Sequence, residues 1–282
     1  MPHDPVILRS VAELRQQVTA WRRDGLSVAL VPTMGALHEG HLTLMRLARR
    51  EADRVVASIF VNPAQFGPGE DFERYPRTEA ADVAKLASAG VEAAFAPSPR
   101  EMYPEGFATR VHIDRLGDVL CGAHRPGHFD GMALIVVKLL LSALPDVAIF
   151  GEKDYQQLQI IRRFTADLNI PVRILGGPIE READGLALSS RNRYLTPEQR
   201  RVAVTLPDAL RAARDAVRAG GDPAAASAKA RDAILAAGFD SVDYVEIRDP
   251  ATLDLVTAPG RPARVFGAAR LGGTRLIDNW AV

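Results

Sequence analysis

The chain reads as an α/β protein, with a Rossmann-like parallel sheet over residues 1–176 and a smaller α+β domain over residues 177–282. Three observations predict this. Short β-rich runs alternate with helix-like segments through the first half, and parallel neighbours need such crossover connections. The alternation stops near Gly176-Gly177-Pro178, beyond which the chain turns rich in Ala and Arg. The length of 282 residues matches about two domains at roughly 150 residues each.

Taken in order, Ser10 and Glu13 form a capping box that opens a helix running to about Arg23. The run 27–31 (SVALV) is a short strand that Pro32 stops. A helical pattern follows over about 40–52, with Leu42, Met45, Leu47 and Ala48 near one face. The run 55–61 (VVASIFV) is a buried strand ended by Asn62-Pro63. Residues 78–89 read as helix and 91–95 as strand. A buried helix covers 134–141, a strand 147–150, a helix 155–168, and a strand at 172–175 closes the series. In the second half, Thr196-Pro197-Glu198 is an N-cap with Pro at the first helical position, leading a long Ala/Arg helix. Asp222-Pro223 starts another helix to about Ala237, and short strands follow near 242–247 and 263–268.

Composition narrows the function classes. Apolar residues make up 47% and charged residues 25%, ordinary globular values. Lys+Arg and Asp+Glu both number 35, a formal charge of zero, which argues against a nucleic-acid partner bound by phosphate neutralisation. Local basic clusters still suit a small anion. The single cysteine, Cys121, has no internal partner for a disulfide. The opening Met-Pro-His-Asp-Pro lacks a signal-peptide pattern. The most apolar stretch, 132–144, is interrupted by Lys138 and falls short of the ~20 residues of a membrane span. The expectation is a cytoplasmic protein with no membrane partner.

In parallel sheets, ligands sit beyond the C-terminal strand ends, so the segments after Val31, Val61 and Phe150 carry the chemistry. The first is Pro32-Thr33-Met34-Gly35-Ala36-Leu37-His38-Glu39-Gly40-His41. Its small residues let a ligand approach the backbone, the helix start offers free amides to an anion, and two imidazoles can donate to phosphate oxygens. The second is Phe150-Gly151-Glu152-Lys153-Asp154-Tyr155-Gln156-Gln157. Here Lys153 is a compact charge suited to phosphate, Asp154 suits an N-cap, and Gln157 lies about one turn into the helix. The third, Asp184-Gly185-Leu186-Ala187-Leu188-Ser189-Ser190-Arg191-Asn192, strings two hydroxyls and a guanidinium after a glycine, as a mobile phosphate clamp would. Gln65, in Asn62-Pro63-Ala64-Gln65-Phe66, has the neutral polar chemistry to read a hydroxyl or carboxylate.

Each segment also has a plain reading, as a turn decoration, a capped helix with solvated charges, or an inter-domain loop. A zinc reading would join His38 and His41 to His124 and His128. However, neither a second cysteine nor a His-Glu-x-x-His helix accompanies them, and Arg125 sets a cation beside the second pair. No phosphate loop, dinucleotide fingerprint or nucleophile elbow is present.

The runs PTMGALHEGH, FVNPAQF, RPGHFDGM, FGEKDYQQL and GLALSSRN, in this order, resemble the pantothenate synthetase (pantoate–β-alanine ligase) family. That family belongs to the nucleotidyltransferase superfamily marked by an His-x-Gly-His signature. The resemblance covers roughly residues 31–196 and is looser beyond. It implies that ATP and (R)-pantoate form pantoyl adenylate and pyrophosphate. The amine of β-alanine then displaces AMP to give pantothenate, a coenzyme A precursor. It also implies that Met34, Gly35, Ala36, Leu37, His38, Glu39, Gly40 and His41 line the ATP site, with His38 as proton donor. Gly151, Glu152, Lys153, Asp154, Leu188, Ser189, Ser190 and Arg191 complete that site. Glu180 falls where family members carry an apolar residue whose backbone meets the adenine. Gln65 is implied to hold both pantoate and β-alanine, and Gln157 pantoate.

The catalytic set on this reading is His38, His41, Lys153, Ser189, Ser190 and Arg191. Mg²⁺ is expected on the nucleotide phosphates, held by phosphate and water, with no protein ligand assigned. The second domain is expected to act as a lid that keeps the acyl adenylate from water, and the family implies a homodimer. Two alternatives stand beside this reading: another nucleotidyltransferase with the same signature, and a His-ligated metal hydrolase.

Overall fold

The computed structural model describes residues 4–282, so Met1-Pro2-His3, on which part of the signal-peptide reading rests, lies outside the described residues. The contacts divide the chain into two compact units. The first comprises the chain up to Gly117, Arg125–Glu152 and Gln157–Pro178. The second comprises Asp118–His124, Lys153–Gln156 and Ile179–Val282. Two short excursions from the first half therefore group with the later unit, which a single boundary near Gly177 does not anticipate.

The elements up to Gly177 run β1 (Val6–Leu8), α1 (Val11–Arg23), β2 (Val28–Thr33), α2 (Glu39–Glu51), β3 (Arg54–Ile59), α3 (Glu79–Ser88), β4 (Ala93–Phe95) and α4 (Pro99–Met102). Then come α5 (Cys121–His124), which groups with the second unit, α6 (His128–Ala143), β5 (Val147–Gly151), α7 (Tyr155–Asp167) and β6 (Arg173–Gly177). The six strands form one parallel sheet in the order β1-β4-β3-β2-β5-β6. From β2 the chain builds outward to β3 and β4 on one side, and β5 and β6 lie on the other. Strand order reverses between β2 and β5, the switch point where such sheets open a ligand crevice. Residues 28–31, 55–57 and 147–150 are all buried. Unbroken apolar runs, rather than alternation, are what a sheet covered on both faces requires.

The parallel sheet is as expected, and several boundaries differ. Pro32 does not stop its strand, because it still pairs with Ser58 of β3 after pairing with β5 has ended at Leu30. The helix expected over 134–141 begins at His128, straight after Gly127 in the left-handed region. Twelve of the sixteen residues of that helix are buried, so no clear amphipathic stripe marks its start. Strand β1 is three residues long, with Val6 and Ile7 exposed, and carries no periodicity to read.

The second unit holds α8 (Pro197–Ala203), α9 (Thr205–Arg218), α10 (Pro223–Ala236), β7 (Ser241–Arg248), β8 (Arg264–Leu271) and β9 (Thr274–Ala281). The strands form an antiparallel sheet ordered β7-β8-β9. Leu206, Leu210, Ala213 and Val217 of α9 and Ile234 of α10 pack in one core with Val245, Val265 and Leu276 of the sheet. Thr196 caps α8 and Asp222 caps α10 through the Ala225 amide at 2.8 Å. The single long Ala/Arg helix expected after Thr196 is two helices, broken at Val204. Strand β9 was not expected; Gly272 and Gly273, both at positive φ, turn the chain back on β8 in two residues. Among the described residues, no helix is long and apolar enough to cross a membrane.

One contact sets the packing of α6. A Cβ on Gly131 would run into the Ala64 carbonyl and reach 2.7 Å from the Gln65 amide, so the main chain of residues 64–65 lies directly on the helix. Gly131→Ala is expected to destabilise the protein by about 1–3 kcal/mol, the usual range for an overpacked site, read as a lowered thermal midpoint.

Candidate active site

The loop leaving β2 is built by a turn that only certain residues tolerate. Gly35 has φ +78, and a Cβ there would meet Asp82 Oδ2 at 3.0 Å and Ile59 Cγ2 at 3.1 Å. Ala36 is also left-handed, at φ 50. This pair of conformations turns the next amides inward. Asp82, fully buried on α3, accepts from Ala36 N at 2.9 Å, Leu37 N at 2.7 Å and Thr78 Oγ1 at 3.1 Å. Lys85, one turn further along α3, donates to the Leu37 carbonyl. Thr33 Oγ1 donates to the Ser58 carbonyl at 2.6 Å and accepts from Gly35 N at 3.1 Å.

Asp82 and Lys85 hold this loop, and the sequence did not single them out. An acidic residue in a helix's first turn reads as a complement to the helix dipole, and nothing local shows that it will be buried.

The loop delivers His38 to the position just before α2 and His41 to its first turn. His38 N donates to His41 Nδ1 at 3.3 Å. That bond assigns the His41 proton to Nε2. The two rings lie 4.1 Å apart, centroid to centroid, tilted by 40°. Both histidines are half-buried. Leu37 is buried in the core, and Gly40 and Met34 are half-buried. The Glu39 carboxylate pairs with Arg46.

Beside this loop lies the turn after β3. Tyr103 OH donates to Asn62 Oδ1 at 2.7 Å. Asn62 Nδ2 lies 3.0 Å from the Gly131 carbonyl and 3.1 Å from Gln65 Oε1. Gln65 Nε2 in turn donates to Met34 Sδ at 3.1 Å. The structure therefore brings Met34 and Gln65 together. Burial pushes the Tyr103 hydroxyl up to about 12, against the opposing pull of the Asn62 bond, so it stays a proton donor. Gly151 ends β5, Glu152 opens a 3₁₀ turn, and Gln157 is half-buried on the first turn of α7.

The remaining expected residues belong to the second unit: Lys153, Asp154, Glu180, Leu188, Ser189, Ser190 and Arg191. The Lys153 carbonyl accepts from Asn279 Nδ2 at 3.0 Å. Next to Asn279, Asp278 is 3% exposed and forms a two-pronged pair with Arg181, at 2.7 and 2.9 Å. Burial raises the Asp278 pKa, while the Arg181 bond and the charges of Arg181 and Lys153 pull it down without cancelling the rise. Asp278 and Asn279 were also missed, because the strand that carries them was not anticipated.

Residues 180–188 form a hairpin in which Leu188 N donates to the Glu180 carbonyl at 2.9 Å. Ser189 Oγ accepts from Arg191 N at 3.3 Å and opens the 3₁₀ turn Ser190–Tyr194. Asn192 Nδ2 donates to Glu182 at 3.0 Å and to the Ala187 carbonyl at 3.1 Å. Arg200 grips both Glu182 and Asp184, at 3.0 and 2.7 Å. The loop expected as a mobile clamp is thus tied to its own hairpin and to α8.

Gln156, next to Gln157, is committed elsewhere. It accepts from Cys121 N at 3.0 Å and donates to the Val119 carbonyl at 2.7 Å.

Among the described residues, no three His, Cys, Asp or Glu side chains gather as a metal cage. His128, one of four histidines in the zinc alternative, has Nδ1 2.7 Å from the Gln65 carbonyl and Nε2 2.9 Å from Arg125. Both of its nitrogens are therefore occupied. What the expected residues offer instead is a set of donors (imidazole N–H, helix amides, ammonium, hydroxyl and guanidinium) suited to phosphate oxygens.

Comparison with known proteins agrees with this chemistry. The family described as Pantoate-beta-alanine ligase matches residues 6–281. The chain is 62% identical over 276 residues to the pantothenate synthetase of Paramagnetospirillum magneticum, covering 98% of this chain and 97% of that relative. It is 55% identical over 276 residues to the pantothenate synthetase of Sphingopyxis alaskensis, with 98% and 99% covered. The crystal structure of pantothenate synthetase from Thermus thermophilus superposes with a TM-score of 0.92 at 50% identity, over 98% of each chain. A pantoate-beta-alanine ligase from Francisella tularensis, solved with Beta-gamma ATP and beta-alanine, gives 0.84 at 33% identity over 98% of this chain and 97% of that one.

Replacing Asp82 by Ala is expected to orphan the Ala36 and Leu37 amides. The loss should be about 1–3 kcal/mol for each buried donor left unpaired, measured by urea unfolding.

Proposed function

The chain belongs to the pantoate–β-alanine ligase family, and from that premise we propose how its own residues carry the reaction. The activity is the ATP-dependent condensation of (R)-pantoate with β-alanine. It proceeds through pantoyl adenylate and releases pyrophosphate and AMP. The observation that carries the residue assignment is the start of α2, where two contacting imidazoles stand on a loop held by Asp82, beside the Gln65 amide against Met34.

In the first step, the pantoate carboxylate attacks the α-phosphorus, and negative charge spreads over the phosphoryl oxygens and the departing pyrophosphate. Catalysis of such a transfer is mainly positioning and electrostatic stabilisation. The α2 amides and His41 Nε2–H stabilise the developing charge, with His38 as proton donor. Lys153, Ser189, Ser190 and Arg191 are assigned as further donors to the nucleotide. Gly151, Glu152, Asp154, Glu180 and Leu188 are assigned to its binding. Because Glu180 is part of a backbone hairpin, its contact with the base is assigned to the main chain, where the side-chain change has little influence. Gln65 binds both pantoate and β-alanine, and Gln157 binds pantoate.

Mg²⁺ enters as part of the nucleotide substrate. The donor set is cationic and hydroxylic, a poor cage for a divalent cation, so phosphate and water hold the ion. The proposal includes a cytoplasmic location, from the sequence reading above, and a homodimer, carried by the family resemblance.

Pantoate-dependent exchange of pyrophosphate into ATP tests the assignment. His38→Ala and Lys153→Ala are each expected to lower it by ~10²–10³, the usual loss for one well-placed donor, with an unchanged far-UV circular dichroism spectrum. Near-normal turnover in either variant removes that residue from its role. Gln65→Ala is expected to raise the KM for pantoate more than that for ATP, and an equal rise in both contradicts the division of labour.

A further inference from the structure

The segment RPGHFDGM is one of the five motifs that carry the family resemblance, yet none of its residues has a part in the reaction described above. The structure shows what its first residues do. His128 opens α6, and its Nδ1 lies 2.7 Å from the main-chain carbonyl of Gln65. A carbonyl only accepts, so Nδ1 carries the proton. On the other side of the ring, Arg125 Nη1 stands 2.9 Å from Nε2. A guanidinium only donates, so Nε2 presents its lone pair and the imidazole is neutral in this tautomer.

Arg125 is itself held by two parallel bonds to Glu70, Nε to Oε1 at 2.7 Å and Nη2 to Oε2 at 2.6 Å. This is the strong fork geometry of a guanidinium on a carboxylate. Glu70 lies five residues after Gln65 in the same loop, so the bonds close a ring from the Gln65 carbonyl through His128, Arg125 and Glu70 back into the loop. Burial works to raise the Glu70 pKa, but the Arg125 bond and charge prevail and hold it below the usual carboxylate range. The acid therefore stays ionised at neutral pH and keeps the arginine in place.

We infer that Glu70, Arg125 and His128 are positioning residues that fix the Gln65 main chain and so aim its side-chain amide at the carboxylate substrate. The inference rests on the assignment of Gln65 to pantoate made above. None of the three is among the residues assigned above to the reacting atoms. A second contact shows how little freedom the turn has: Asn62 Nδ2 bonds the Gly131 carbonyl on the same helix, so α6 grips the turn at two points while Gln65 Nε2 reaches Met34.

Steady-state kinetics of the full chain separate positioning from simple stability. His128→Ala is expected to raise the pantoate KM about tenfold, the scale of one lost hydrogen bond, while the ATP KM stays the same. His128→Asn places an amide donor where Nδ1 was and is expected to recover most of the loss. In the double variant His128→Ala, Gln65→Ala, the pantoate KM is expected to match that of Gln65→Ala alone, because His128 acts through Gln65.

An unchanged pantoate KM in His128→Ala, an equal rise for ATP, or an added effect in the double variant overturns the inference if Gln65→Ala itself raises the pantoate KM. If Gln65→Ala leaves that KM unchanged, the Gln65 assignment fails and takes the inference with it. Should His128→Ala not fold, Glu70→Gln at the far end of the ring decides: a selective rise in pantoate KM supports the inference, and a wild-type value overturns it.

Discussion

The loop after β2 depends on one buried carboxylate. The Gly35-Ala36 turn takes two successive residues into the left-handed region and points main-chain amides into the protein, where water does not reach them. Buried amides need acceptors, and Asp82 supplies both oxygens to them. With that anchor the chain enters α2 at a fixed angle, the His38 amide can cap onto His41, and the His41 tautomer follows. The geometry of the loop amides and of the imidazoles that follow them thus rests on a buried carboxylate. Burial keeps that side chain on the loop amides.

The same arrangement recurs elsewhere in the chain. In the second unit, Asp278 is buried against Arg181, while the neighbouring Asn279 holds the Lys153 carbonyl. In the turn after β3, the Glu70–Arg125 pair sits behind His128, which holds the Gln65 carbonyl. In these cases a polar side chain, the Asn279 amide or the His128 imidazole, binds the main chain of a residue to which the proposal above gives a part in the reaction. Oriented donors of this kind need little rearrangement as charge develops, which is the physical basis of electrostatic catalysis.

A net charge of zero is compatible with binding a highly charged nucleotide for a related reason. Many of the carboxylates pair with arginines, as at Glu182 and Asp184 with Arg200, so the overall balance says little about local potential. The zinc alternative fails on similar grounds. The paired histidines that suggested it divide between different tasks, and His128 spends both nitrogens on its neighbours.

What could be read directly was the parallel sheet, the helix starts marked by Ser10, Thr196 and Asp222, and the segments at strand ends that carry chemistry. Each rests on local rules: burial on two faces, caps within three residues, and loops at the C-terminal edge. What could not be read was set by partners distant in the chain. Asp82 reaches loop amides some 45 residues away, and Arg125 meets Glu70 across 55. Pro32 is kept in a strand by β3, and the start of α6 was hidden because burial on all sides erased its periodicity. Local pattern determines which segments become strands, helices and turns; only tertiary packing decides which buried polar atoms must find each other, because that requirement arises when water is removed.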